Sequence, residues 1–219
     1  MTKYLIILAA ILVLRFVLYR WLKRFFMLLL VRLGLRAALE DVGRQAVAKQ
    51  PDRITLVHRD LSSWKPAPAV AAFADPLFAK GFQEAGLFAI QEMPGVLVRF
   101  LAKVNEGLVA TIYTHPAVGV WLDLATFYQD GRSTTFSSNP APGLSQHPHH
   151  RTVYSSGSGA LDLLTECLAD RPKAPFKQIL PDDAASVFEN SYAEAIAWRK
   201  TKGVGAAEVD RGAQRKQAS

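Results

Sequence analysis

Between Leu87 and Ser138 the chain passes through five apolar runs punctuated by turn signals, and this rhythm restricts its fold more than any other feature. The runs are Leu87 to Met93, Val96 to Lys103, Leu108 to Thr114, Gly119 to Tyr128 and Arg132 to Ser138. Pro94-Gly95, Asn105-Glu106-Gly107, His115-Pro116 and Asp130-Gly131 separate them. Connections this short suit antiparallel neighbours, and Asp-Gly is a strong hairpin signal. With Ile54 to Arg59 as a further short strand, the pattern predicts a five- to six-stranded antiparallel meander. The fourth run alternates with a period of two. Val120, Leu122, Leu124 and Thr126 fall on one side, and Trp121, Asp123, Ala125 and Phe127 on the other. Both sides carry apolar residues, so cover is expected over part of each face.

Helical patterns flank the runs. Residues 68 to 82 read as helical with a break near Asp75-Pro76, where aspartate can cap and proline can open a new first turn. Residues 139 to 157, rich in Pro, Ser, Gly and His, read as a loop. Ala160, Leu161, Leu164, Cys167 and Leu168 then form one apolar stripe, stopped by Arg171-Pro172. A last helix opens at Pro181-Asp182-Asp183 and closes at Arg199, Lys200 and Lys202 before Gly203, the charge order that a helix dipole favours. The predicted class is α+β, a meander packed by helices.

The net charge of +7 has a single origin. Lys3, Arg15, Arg20, Lys23, Arg24, Arg32 and Arg36 precede any acid, and the other 19 Lys and Arg balance 19 Asp and Glu. No Lys/Arg cluster lies between residues 50 and 195, which argues against nucleic acid as a partner. The basic excess instead flanks the apolar stretch from Tyr4 to Trp21. A secretory signal would need a small-residue cleavage site, and Arg15, Arg20 and the bulky residues between them supply none. As a helix these residues would span about 27 Å, close to the hydrocarbon thickness of about 30 Å. Tyr4, Tyr19 and Trp21 fit an aromatic belt, and Arg15 could snorkel to the head groups. Phe25 to Val31 is too short to span and suits the interface.

Residues 1–36 are thus expected to be a single-pass membrane anchor with a basic interfacial collar, Lys3, Arg15, Arg20, Trp21, Lys23 and Arg24 marking its flanks. Positive charge on the C-terminal side puts the N-terminus outside and the main domain in the cytoplasm, beside anionic head groups. Residues 37–52 then read as a helical connector, 53–202 as the α+β domain and 203–219 as a disordered polar tail.

No decisive catalytic motif is present. Three imidazoles within four residues, His147, His149 and His150, are candidate metal ligands. Ser156, Gly157 and Ser158 lead into a helix and could hold an anion on backbone N–H groups, although the P-loop ending is missing. Trp121 and Phe127 could line an apolar pocket with Asp123 as its carboxylate. Cys167, on an apolar stripe, is expected to be a buried and inert thiol. No cofactor is implied. The expected role is that of a non-catalytic accessory protein docking on a membrane complex. The alternative is a membrane-tethered domain that binds or acts on an apolar, lipid-like ligand, for which a pocket at Trp121, Asp123 and Phe127 would be the deciding feature.

Overall fold

The computed structural model describes residues 41–61, 68–141 and 145–208, except 42, 46 and 206, together with 211. The expected anchor, with Lys3, Arg15, Arg20, Trp21, Lys23 and Arg24, lies outside the described residues, as does most of the expected tail. Among the described residues no helix is long and apolar enough to cross a membrane.

The fold is α+β, built on one sheet of seven strands in sequence order: β1 (Leu56–Arg59), β2 (Gln83–Ile90), β3 (Leu97–Lys103), β4 (Leu108–His115), β5 (Gly119–Phe127), β6 (Ser133–Ser137) and β7 (His150–Tyr154). The first six form the antiparallel meander that the turn signals predict. The seventh corrects the expected count and makes the sheet mixed, because β7 runs parallel to β6. It lies inside the stretch read as loop. His-Arg-Thr-Val-Tyr is too short and too near a Pro- and His-rich segment to announce a strand, yet Thr, Val and Tyr suit one once β6 offers an edge.

Each face of the sheet carries helices. On one face lie α1 (Pro68–Ala79) and α2 (Ala160–Asp170), packing Val70, Ala74, Leu77, Leu163 and Cys167 against Leu108, Ile112, Leu122, Leu124 and Phe136. The break expected at Asp75-Pro76 does not occur, and Pro76 sits inside a continuous helix. Proline costs the helix one hydrogen bond, but Val70, Ala74 and Leu77 are fully buried at helical spacing and hold both sides of Pro76 to the sheet. On the other face lies α3 (Ala184–Lys202), entered through a 3-10 turn at Pro181–Asp183. Phe188 of α3 meets Phe100 at 5.2 Å between ring centroids.

Alternation along β5 assigns its side chains as the sequence predicts. Leu122 and Leu124 join the α1/α2 core, while Trp121, Asp123, Ala125 and Phe127 point toward α3. α3 is also tied to the sheet's first edge. Glu189 accepts the Leu56 backbone N–H at 2.7 Å, Tyr192 donates its hydroxyl to the Pro51 carbonyl at 3.1 Å, and Lys200 pairs with Asp52 at 2.6 Å. Within the segment expected as a tail, Glu208 is buried and accepts from the Ser145 and Gly205 N–H groups and from Lys202.

One turn is sterically exacting. Gly107 closes the 3-10 turn Val104–Glu106 in the left-handed region, at φ +61°, and a Cβ there would overlap the Phe176 ring. Gly119 is also left-handed, at φ +94°, but opens on free space. Gly107→Ala is therefore expected to lower stability by more than the roughly 1–2 kcal/mol of a left-handed alanine, and Gly119→Ala by no more than that amount. Urea denaturation midpoints of the two variants check the difference.

Candidate functional site

The α3 side of the sheet is packed around Val98, Phe100 and Phe188 and left partly open elsewhere. A cavity of about 340 Å³ lies between α3 and strands β4 to β7, with Trp121, Asp123 and Phe127 from β5 in its wall. Tyr113 comes from β4, Thr135 from β6 and His150 from β7, while Phe188, Tyr192 and Ala195 of α3 form the roof. Most of the lining is apolar, and Asp123 is the carboxylate in it. A second, more polar cavity of about 340 Å³ adjoins Asp123 and is lined by Ser137, Asn139, Thr152 and Tyr154.

Strand register builds the polar centre. Tyr113 pairs with Trp121 across β4 and β5, so their rings stack with centroids 4.4 Å apart and planes 9° from parallel. Asp123 pairs with Ser137 across β5 and β6, and the Ser137 hydroxyl donates to its Oδ1 at 2.5 Å. The Tyr113 hydroxyl and the Trp121 indole face the carboxylate and favour its ionised form. Arg99 and Lys103 of β3 pair with Glu84 at 2.7 Å and Glu106 at 2.6 Å, and strand register puts both on the α1/α2 face, away from Asp123. Asp123 is therefore enclosed by protein with neutral donors for company, while part of its surface stays open to the cavity.

The electrostatics follow from that enclosure. Burial pushes the Asp123 carboxyl from 3.8 up to about 6, against the opposing pull of Ser137, Tyr113 and Trp121. Burial raises the Tyr113 hydroxyl well above its ordinary range, with the Asp123 charge adding to the effect. A carboxyl near 6 is mostly ionised at neutral pH and readily takes a proton just below it. It can accept hydrogen bonds from a ligand's hydroxyl or ammonium group, or exchange a proton with it.

The structure treats the other candidate residues unevenly. His147 and His150 come together, with ring centroids 4.5 Å apart, and are joined by Glu194 of α3, whose carboxylate lies 3.4 Å from His150 Nε2. His149 is exposed, and its ring lies 5.5 Å from that of His147. Burial, then the neighbouring His150, hold the His147 imidazole below its ordinary range. The Gly157 and Ser158 N–H groups are spent on the Ser138 and Ser155 carbonyls, at 3.1 Å each, and α2 begins at Ala160 with Gly159 as its cap. Cys167 is fully buried, its thiol pushed up to about 12 chiefly by burial. Sequence reasoning missed Tyr113, Ser137 and Glu194. The first two follow from strand register once the hairpins are drawn, whereas Glu194 sits on a helix whose rotation no motif reveals.

Comparison with known protein families, curated proteins and solved structures finds no match. The site is accordingly read from its own chemistry.

That chemistry fixes a pH dependence. Because folding raises the Asp123 pKa, the folded chain binds more protons than the unfolded chain between about pH 4 and 6. This group's contribution is most favourable below that window and declines as pH rises through about 6. At neutral pH the penalty reaches up to about 3 kcal/mol, from a shift of about two pH units. Asp123→Asn keeps an oxygen for Ser137 and removes the charge. It is expected to stabilise the chain at pH 7.5 and to have little effect at pH 4, as measured by urea unfolding at both values.

Proposed function

We propose that the domain is a membrane-tethered receptor for a small amphiphile, whose apolar body occupies the cavity under α3 and whose hydrogen-bond donor meets Asp123. The single observation that carries this reading is the cavity itself: apolar walls around one enclosed carboxylate that has no cationic partner among the described residues. Ligand sites of this kind are concave and mostly apolar, with a few polar groups that fix orientation. The volume suits a molecule of one or two fused rings or a short acyl chain. Trp121, stacked on Tyr113 beside the carboxylate, gives the site an intrinsic fluorescent reporter.

A neutral aromatic amine such as N-phenyl-1-naphthylamine combines an apolar body with one N–H donor and is a suitable probe. Its emission is expected to rise, and tryptophan emission to fall, on titration with the full chain in mild detergent. Ala195→Trp fills the cavity from its roof and is expected to weaken binding at least tenfold, whereas Val118→Trp, at a 58% exposed position, leaves it unchanged. Equal binding by both variants would overturn the reading.

The tether belongs to the same proposal and rests on the charge-flanked apolar segment 1–36. Its orientation would put the folded domain on the cytoplasmic side, next to anionic head groups. The chain is expected to stay in the membrane pellet through a high-salt wash and to enter solution only with detergent, and release by salt alone would refute the tether. A second reading, docking of the domain on a membrane complex, draws on Leu161 and Leu168. They are 43% and 42% exposed and lie seven residues apart on one stripe of α2. Reproducible recovery of partner chains after gentle detergent extraction would favour it.

A further inference from the structure

The turn into β7 brings together side chains that are far apart in the sequence. The His150 N–H donates to the His147 carbonyl at 3.0 Å, closing a turn that sets the two imidazoles side by side. Glu194 reaches them from α3, across 44 residues of chain. One ligand atom from each of His147, His150 and Glu194 lies within 4.8 Å of the other two. A tetrahedral cation with bonds of about 2.1 Å holds its ligand atoms about 3.4 Å apart. His150 Nε2 and Glu194 Oε2 already stand at 3.4 Å, the spacing that such an ion asks of two of its ligands.

The surroundings support a ligand role. His150 Nδ1 is in hydrogen-bond contact with Ser133 Oγ at 2.8 Å, the position of the outer partner that orients a metal-bound imidazole. Its other nitrogen, Nε2, is buried and lacks a hydrogen bond. The Glu194 carboxylate stands 3.4 Å from that nitrogen without the geometry of a hydrogen bond, and a shared cation would engage both. His147 packs edge-on against Trp198 at 5.3 Å, which limits the swing of its ring. Its Nδ1 accepts the His149 N–H at 3.1 Å, and binding a cation through either ring nitrogen requires only the release of that bond at the surface.

We propose that His147, His150 and Glu194 bind a borderline divalent cation of the zinc class, with His149 outside the ligand set. Two imidazoles and a carboxylate are a donor set that such ions accept, and three protein ligands leave one coordination position for water or a ligand's polar group. His150 also lines the apolar cavity, so the cation would stand at the cavity's rim. This assignment differs from a metal held by the histidine-rich loop alone, because it depends on a helix residue brought in by the fold.

The full chain, purified in detergent without a histidine tag and stripped with chelator, is titrated with zinc chloride in a calorimeter. One equivalent is expected to bind per chain, and cobalt(II) is expected to give the visible absorption bands of a four-coordinate site. His150→Ala and Glu194→Gln are each expected to weaken zinc binding at least tenfold, and Ser133→Ala by roughly 10- to 100-fold, while His149→Ala keeps wild-type affinity. Glu194 is exposed, so its variant should fold normally, which far-ultraviolet circular dichroism verifies. Failure of the wild type to bind stoichiometric zinc, wild-type affinity in Glu194→Gln, or equal losses in His149→Ala and His150→Ala would each overturn the assignment. The dye titration reads the apolar cavity without zinc, so the two proposals fail separately.

Discussion

A sheet that is apolar on both faces cannot leave either face in water, and the architecture follows from that constraint. On one side the requirement is met by filling. Leu101, Leu108, Ile112, Leu122, Leu124 and Phe136 are all essentially inaccessible beneath α1 and α2. On the other side it is met by covering. α3 packs Phe188 against Phe100 and Tyr113, while its short residues Ala184, Ser191 and Ala195 border the space left beside them. Protein cores are normally packed to the density of organic crystals, so a cavity of about 340 Å³ beside that packing stands out.

Asp123 sits in the wall of that cavity. Its neighbours are hydroxyl and indole donors, and the strand cations are engaged with glutamates elsewhere. Neutral donors stabilise a carboxylate only in part, so burial still dominates its proton affinity. The arrangement sacrifices some stability at neutral pH to keep an acceptor at the bottom of an apolar space. Groups of this sort are concentrated at functional sites, where stability is commonly exchanged for chemistry.

Much of this was legible in the sequence, for identifiable reasons. The meander follows from Asp130-Gly131 and its sister turns, and the two-faced alternation of Val120 to Phe127 puts Trp121, Asp123 and Phe127 on one wall. β7 was hidden because a five-residue parallel edge strand has neither a hairpin turn nor a long run to mark it. Pro76 misled because local propensity predicts a break where tertiary burial holds the helix intact. Tyr113 and Ser137 needed pairing register, and Glu194 needed the rotation of α3, a three-dimensional quantity absent from any linear spacing. The histidine run drew attention to the right loop, but His149 took the place that Glu194 occupies beside His147 and His150.

The attachment of α3 to the segment before β1 has a consequence for how the protein is made. Its hydrogen bonds to Pro51, Gln50 and Leu56 join residues 133 to 150 positions apart, so they form only after α3 itself has been made. Contacts of such separation are slow to close because a long loop must be ordered first. During synthesis the meander and the α1 layer can assemble while β1 and the Trp121 wall still lack their cover. The cavity on that face is therefore closed late, by a helix that follows all seven strands in the sequence, and a chain truncated before Ala184 would present that apolar wall to whatever surrounds it.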